Sequence, residues 1–214
     1  MSGRGSLRHT RHLVPAVACA LAVSMAGCAS SSDVSSLHDA VDAVLNTSNF
    51  KLVTTTSDPQ GTVVDNVVIE KPDRFSSDET INGIAGSNVV AIGSSGYVED
   101  QTGRWTSLRH VDESRDLTNA ALVYLHLLDM TTAATRHGNT FVVPTDEAVR
   151  LSASIRLVQA QTPSRVSLSA TVRAGLLRSM TLRIAGGSPA YVTMTVDGIG
   201  SSPKIEPPTT GPVG

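Results

Sequence analysis

The chain has 214 residues, of which 40% are hydrophobic and 17% are charged, with a formal net charge of −2. A mildly acidic chain is a poor match for nucleic acid and has no polybasic segment for anionic lipid headgroups. The chain has only two cysteines and 3% aromatic residues. This composition predicts one domain with an aliphatic core and no disulfide framework.

The N-terminus has the pattern of a bacterial export signal. Three arginines precede an apolar run, 13–26, that is shorter than the roughly 20 residues needed to span a bilayer. The run ends in Met25-Ala26-Gly27-Cys28, which resembles the lipobox of bacterial lipoproteins, with Met25 where that motif usually has Leu. The resemblance implies that the signal peptide 1–27 is removed and that Cys28 carries a diacylglyceryl group. The alternative is an ordinary secretory signal that contains Cys28 by chance.

Removal of residues 1–27 takes away three arginines and no acidic residue, which changes the formal charge to −5. It also removes Cys19, and acylation occupies Cys28, so no thiol is left for a disulfide or a metal. We therefore expect an exported protein that is lipid-anchored to the outer face of the cytoplasmic membrane, in the cell envelope. Residues 28–35 are predicted to be the acylated Cys followed by a flexible tether, because the segment is made of small and polar residues.

A helix and then short antiparallel strands are predicted after the tether. Residues 36–39 have the form of a capping box, and apolar residues follow at helical spacing to about Thr47. From Phe50 the apolar residues alternate with period two, and turn signals separate the strands. The predicted strands are 50–56, 62–70, 74–78, 88–92, 96–99 and 104–107.

A second helix, from Ser114 to Leu128, carries an apolar stripe that widens until most of its middle is apolar. This pattern predicts a helix that is buried on more than one side or that closes over a cavity. Short strands at 133–136 and 140–143 and one helical turn at 144–150 follow.

The clearest alternation in the chain comes last, and it predicts a four-stranded antiparallel meander. Arg178 falls on the apolar register and is expected at a sheet margin. Four prolines after Gly200 predict that 201–214 is a disordered tail. The four predicted strands are 153–158, 165–173, 179–184 and 191–197.

This layout resembles the LppX/LprG group of actinobacterial lipoproteins in the LolA-like superfamily. The resemblance covers nearly all of the chain after Cys28, and its local parts are Lys71-Pro72-Asp73-Arg74-Phe75 and the hairpin of Gly96-Tyr97-Val98 with Gly103-Arg104-Trp105. It implies that residues 36–200 form a LolA-like lipid-binding domain of the α+β class. Its fold would be a curved antiparallel β-sheet, an unclosed half-barrel, with helices covering the concave face.

The resemblance also implies a non-enzymatic, membrane-anchored protein that binds or carries lipids or lipoglycans in an apolar cavity between sheet and helices. Its expected partners are the membrane, through the group on Cys28, an acylated lipid or lipoglycan ligand and an envelope transport protein, with no cofactor and no nucleic acid. Alternation shows which face a side chain takes but not how far away the opposite layer lies. The alternative is therefore an envelope lipoprotein with a solid core and no ligand, acting as a protein-interaction or structural module. The residues predicted to line a cavity are Val67, Ile69, Leu125, Leu128, Ile155, Leu157, Leu168, Val172, Leu182 and Met194.

Few residue pairs have the spacing that a catalytic site or a metal site requires. His38 and Asp42, and His126 and Asp129, have the spacing of neighbours on a helix. Neither pair has a third residue at metal-ligand spacing, so we interpret them as surface ion pairs. Residues 93–96 lack the spacing of a nucleophile elbow and predict a hairpin turn. The sequence therefore predicts no catalytic site and no metal site.

Overall fold

The structure, a computed structural model, describes residues 31–108, 113–154, 165–186 and 189–209. Within these ranges, eleven strands form one sheet and four helices pack against it. The helices are α1 (Ser31–Leu45), α2 (Glu113–Ala121), α3 (Val123–Asp129) and α4 (Thr145–Ser154). The strands are β1 (Asn49–Asp58), β2 (Gly61–Glu70), β3 (Arg74–Ile81), β4 (Ile84–Ile92), β5 (Ser95–Glu99), β6 (Trp105–Leu108), β7 (Thr135–His137), β8 (Thr140–Val143), β9 (Arg165–Arg173), β10 (Leu176–Ala185) and β11 (Ala190–Asp197).

The sheet is antiparallel throughout, in the order β6-β5-β4-β3-β2-β1-β11-β10-β9-β8-β7. Neighbouring strands are consecutive in the chain except at the centre, where β1 pairs with β11 and Leu52 lies opposite Val196. β6 and β7 remain at the two edges, so the sheet does not close into a barrel. The predicted α+β fold, with a curved and unclosed antiparallel sheet, is confirmed.

One face of the sheet, the helix-covered face, carries the core. Along β9, Val166, Leu168, Ala170 and Val172 are buried while the alternate residues are partly or fully exposed. α1 packs on β10, α3 packs on α1, and α4 packs on β9, whereas α2 makes its strand contacts with β3, β4 and β5. The helices therefore cover the two halves of the sheet unequally.

The first helix begins earlier than predicted. The hydroxyl of Ser36 donates to the carbonyl of Ser32 at 2.8 Å, so Ser36 lies inside α1 and the predicted capping box is wrong. Residues 31–35, assigned from the sequence to a flexible tether, belong to the same helix. A contact with β7 stabilises the first turn of α1, because the Asp33 carboxylate accepts a hydrogen bond from the backbone N–H of Arg136 at 3.1 Å.

The apolar stretch predicted as one helix is two, with Leu122 at the junction between α2 and α3. α4 is a ten-residue helix where one turn was predicted. Ala153 and Ser154, predicted to start a strand, lie in this helix, and the rest of 153–158 lies outside the described residues. The other three strands of the predicted meander are confirmed as β9, β10 and β11.

Arg178 lies inside β10 and not at a sheet margin. The pairing of β10 with β9 shifts at this residue, because Leu177 pairs with Val172 whereas Ser179 pairs with Thr171. A β-bulge inserts one extra residue in this way. Leu177 and Met180 are consequently both buried, although strict alternation would place them on opposite faces.

The chain after β11 is packed along the sheet. Ile205 is 5% exposed, its N–H donates to the Glu70 carboxylate at 3.0 Å, and its carbonyl accepts from the Arg74 guanidinium at 2.6 Å. The N–H of Ser202 donates to the side chain of Asn49 at 3.3 Å. The predicted disordered tail is therefore wrong for residues 201–209, and the remaining residues lie outside the described ranges.

Candidate functional site

Eight of the ten residues predicted to line a cavity are described, and all eight are buried in one core cluster. Ile155 and Leu157 lie outside the described residues. The eight come from one strand of one half of the sheet, three strands of the other half and one helix. They are Val67 and Ile69 on β2, Leu125 and Leu128 on α3, Leu168 and Val172 on β9, Leu182 on β10 and Met194 on β11.

The core over β9, β10 and β11 is packed tightly. Leu125, Leu128, Leu182 and Met194 have no accessible surface, and Leu168 is 1% exposed. A side chain with no accessible surface is surrounded by protein atoms at interior packing density. These predicted lining residues therefore have no open space beside them for a ligand in this structure.

The cover over the other half of the sheet is thinner. α2 provides the main helix contacts of β3, β4 and β5. Val63, Val89 and Val98, which the strand register places on the helix-covered face, are only half-buried. This half is where a ligand needs the least displacement of packed side chains.

A cavity of about 560 Å³ opens between α2 and the turn that joins β2 to β3. Its wall includes Ile69, which is 1% exposed and belongs to the core cluster, so the cavity reaches the edge of the core without opening into it. The cavity is lined by Ile69, Glu70, Lys71, Pro72, Asp73, Arg74, Thr118 and Asn119.

The charged groups of this cavity lie around its mouth. Lys71 and Arg74 carry positive charge, and Glu70 and Asp73 carry negative charge. Two of the four, Glu70 and Arg74, are also hydrogen-bonded to the backbone of Ile205. Ligand sites are commonly apolar with a few polar groups that fix orientation. An apolar inner end with a polar mouth suits a molecule with an apolar chain and a polar head.

A polar band crosses the helix-covered face and was not predicted. Asp65 lies opposite Glu79 in the pairing of β2 with β3, and Tyr124 of α3 is near Asp65. Burial raises the pKa of Asp65, and the negative charges of Glu79 and Asp78 raise it further. Burial also raises the pKa of Tyr124, which a hydrogen bond with Thr56 partly offsets. The signal was present, because alternation with Val67 places Asp65 on the apolar side of β2.

A second concavity, a groove of about 430 Å³, lies at the opposite end of the strands. Its walls come from the end of β1, the end of β10 and the start of β11, and the Arg183 guanidinium lies 5.0 Å from the centroid of the Tyr191 ring. Sequence reasoning missed this groove, since its residues are distant in the chain. It is lined by Ser57, Asp58, Pro59, Arg183, Ile184, Ala185, Pro189, Ala190 and Tyr191.

His38 does not contact Asp42 as predicted. Nε2 of His38 lies 2.9 Å from the carbonyl oxygen of Thr131, which replaces the predicted ion pair with Asp42. Among the described residues, no three or more His, Cys, Asp or Glu side chains are placed to hold a metal ion. In the same part of the chain, no helix has the length and apolar character needed to cross a membrane.

No protein-family model and no curated protein matches this sequence. Solved structures do match. LprF from Mycobacterium bovis is 13% identical with a TM-score of 0.58, over 86% of this chain and 100% of that protein. The lipoprotein LppX from Mycobacterium tuberculosis is 11% identical with a TM-score of 0.51, over 82% of this chain and 98% of that protein.

The chain has the fold of LprF and LppX. The resemblance predicted from the sequence is therefore confirmed at the level of the fold. In the LprF/LppX fold as this chain builds it, the less covered half of the sheet and the cavity beside α2 are the candidate site.

Proposed function

We propose that this protein is a cell-envelope lipoprotein that binds lipids or lipoglycans through their acyl chains, on the helix-covered face of the sheet. A diacylglyceryl group on Cys28 anchors it to the outer face of the cytoplasmic membrane. It has no catalytic role, and it exchanges its ligand with the membrane or with an envelope transport protein. The observation that carries the proposal is the cavity between α2 and the β2–β3 turn, which joins a polar mouth to the core residue Ile69.

Desolvation supplies the binding energy. Each methylene group kept from water contributes about 0.8 kcal/mol, so an acyl chain needs no specific polar contact to be held. A volume of about 560 Å³ lies within the range of about 300 to 1,000 Å³ that is usual for ligand pockets. Ile69 lines the cavity and is the proposed ligand contact from β2. Val67 is buried in the core and does not line the cavity, so it contacts a ligand only if packed side chains move. The predicted residues of α3, β9, β10 and β11 contact a ligand only if helices move away from the sheet.

The tight packing over β9, β10 and β11 favours a second candidate function. A sheet with a solid core in that half also fits a protein-interaction or structural module without a ligand. Such a module would use an exposed sheet edge, and β6 and β7 are the edges in this fold. An open edge strand is a template for pairing with another chain.

Native mass spectrometry of the chain from Ala29 onward, purified from an actinobacterial host, distinguishes the two functions. Lipid binding predicts about one co-purifying lipid per protein, which organic extraction then identifies. Asn119→Trp should abolish the co-purification, because Asn119 lines the cavity and is exposed on α2. Ala120→Trp is the matched control, since Ala120 is the next residue of α2, is exposed and does not line the cavity.

A lipid-free mass in the parent protein would contradict lipid binding and would favour the interaction module. Cross-linking in the envelope would then identify the protein partner. Loss of lipid from both tryptophan variants would show that α2 as a whole matters and would remove the support for this cavity.

A further inference from the structure

Exposed apolar side chains gather at one end of the sheet. Among the described residues, five large hydrophobic side chains are exposed, and three of them are Ile84 at 73%, Ile81 at 44% and Tyr191 at 37%. All three flank turns at the end of the sheet where the groove of about 430 Å³ lies. We call this surface the turn end and define it by Pro59, Ile81, Ile84, Pro189 and Tyr191.

Backbone pairing holds the turns of this end side by side. Ser57, at the end of β1, is opposite Tyr191 at the start of β11. The N–H of Asn82, in the β3–β4 turn, donates to the carbonyl of Thr62 at 2.8 Å, and the N–H of Thr62 donates to the Asn82 side chain at 2.7 Å. The start of β11, the β1–β2 turn and the β3–β4 turn are therefore neighbours.

Both faces of the sheet contribute to the turn end. Ile81 pairs with Val63 and so lies on the helix-covered face, whereas Tyr191 lies on the other face, because Val192 is buried. The surface that they share is the end of the strands. The β3–β4 turn is tight, since Asn82 and Gly83 have φ values of 52° and 80°, as in a two-residue type I′ turn. A broad surface that approaches end-on can contact both faces at once.

The turn end has little net charge. Charged neighbours of both signs flank it. They are Asp58, whose carboxylate accepts from the N–H groups of Gln60 and Gly61 at 2.7 and 3.1 Å, Arg183, which stacks on Tyr191, and Arg165, which pairs with Ala185 of the groove. Charge therefore cannot draw this end to anionic lipid, but apolar insertion can hold it. Tyrosine and arginine suit the level of the headgroups, since each combines an apolar body with a polar tip.

We propose that the turn end makes a second contact with the bilayer, in addition to the lipid on Cys28. Ile81 and Ile84 insert at the interface, and Tyr191 and Arg183 lie among the headgroups. The proposal rests on the anchoring part of the proposed function and not on a lipid in the cavity. Cys28 precedes the start of α1 by three residues, a span of at most about 10 Å, which keeps the folded body close to the membrane.

A fluorescent label tests this contact in the acylated protein, reconstituted in phosphatidylcholine vesicles. The sequence has two cysteines, Cys19 in the signal and Cys28 at the acylation site, so Ile84→Cys adds a unique thiol for an environment-sensitive dye. Ala174→Cys is the matched control, since Ala174 is exposed in the β9–β10 turn, at the opposite end of β10 from the groove residue Ala185. The dye at position 84 should emit at shorter wavelength and be quenched by nitroxide-labelled lipid. The dye at position 174 should keep its emission in water.

Adding Ile81→Glu to the Ile84→Cys protein should reduce the quenching, because losing one inserted isoleucine lowers membrane partition by about tenfold. Equal aqueous emission at positions 84 and 174 would overturn the proposal. So would a shift to shorter wavelength without quenching by lipid, since that result means contact with another protein copy. The intact mass tests acylation separately. Asn119→Trp, which tests the cavity, should leave the emission at position 84 unchanged.

Discussion

Asp65 lies directly opposite Glu79 in the pairing of β2 with β3, so two carboxylates face each other on the helix-covered face. Burial and the charges of Glu79 and Asp78 raise the pKa of Asp65 above its ordinary value of 3.8. Folding therefore favours the protonated form of Asp65.

The first prediction concerns pH and this pair. When folding raises the pKa of an acidic side chain, the folded protein loses stability as the pH rises from the unfolded pKa of that group through its folded pKa. Asp65→Asn should remove that loss and make the protein more stable than the parent at neutral pH. Urea unfolding from about pH 3 to pH 7 measures the effect. Glu79→Gln should reduce the loss without abolishing it, because burial is the larger cause. Parallel profiles for the parent and Asp65→Asn would contradict the assignment.

The second prediction concerns the buried Glu147 of α4. Its carboxylate accepts from the Arg150 guanidinium at 2.7 Å and from the N–H and hydroxyl of Thr132 at 2.7 and 2.9 Å. The hydrogen bond from Arg150 is the main reason that the pKa of Glu147 falls to about 2.

Because this pKa is lowered, the stabilisation is complete above the unfolded value of 4.5 and is lost as the pH falls toward 2. Glu147→Gln should cost about 1 to 3 kcal/mol at neutral pH and should flatten the acid side of the stability profile. The control is Asp146→Asn at the exposed neighbouring position. An unchanged acid limb in Glu147→Gln would show that Glu147 does not control it.

The third prediction concerns the segment after β11. Ile205→Ala should destabilise the protein by about 2 kcal/mol, because it removes a buried side chain. It should also expose the bond after Lys204 to trypsin, since packing of the neighbouring Ile205 restrains this segment. Lys204→Ala, at an exposed position, removes the cleavage site and confirms the assignment of the cut. Equal trypsin sensitivity of the parent and Ile205→Ala would contradict the packing.

The fourth prediction concerns α3. Leu125 and Leu128 have no accessible surface, so Leu125→Trp combined with Leu128→Trp should overpack the core and cost about 1 to 3 kcal/mol. His126→Trp, at an exposed position of the same helix, should cost much less. Chemical denaturation of the three proteins gives the comparison. A double variant as stable as the parent would mean that space for the two rings exists beneath α3.

Alternation alone predicted most of the sheet. Val192, Met194 and Val196 were placed on the apolar face, and all three are buried in β11. Periodicity could not anticipate the bulge at Arg178, because a bulge depends on pairing with a distant strand. It also could not show that the apolar stretch breaks at Leu122. That break arises because α2 packs on β3, β4 and β5 while α3 packs on α1.

The candidate site was predicted less well than the fold. Ile69 does line the cavity beside α2, but Leu125 and Met194 lie in tight packing. Both kinds of position have the same sequence pattern, since a side chain that faces a gap and one that faces a packed helix are equally apolar. The distance between sheet and helix is a tertiary property. From the sequence, Lys71 was predicted only as part of the entry to a strand and not as part of a ligand site.

The pairing of β1 with β11 has a consequence for how the chain acquires this structure. β1 precedes the other described strands in the chain, and its partner β11 follows them. The hairpins on either side, such as β2 with β3 and β9 with β10, can form locally, whereas the pairing of β1 with β11 must wait for β11. Until then β1 presents an unpaired edge, which is prone to pair with other chains. The chain is therefore most exposed to wrong strand pairing between the synthesis of β1 and the synthesis of β11.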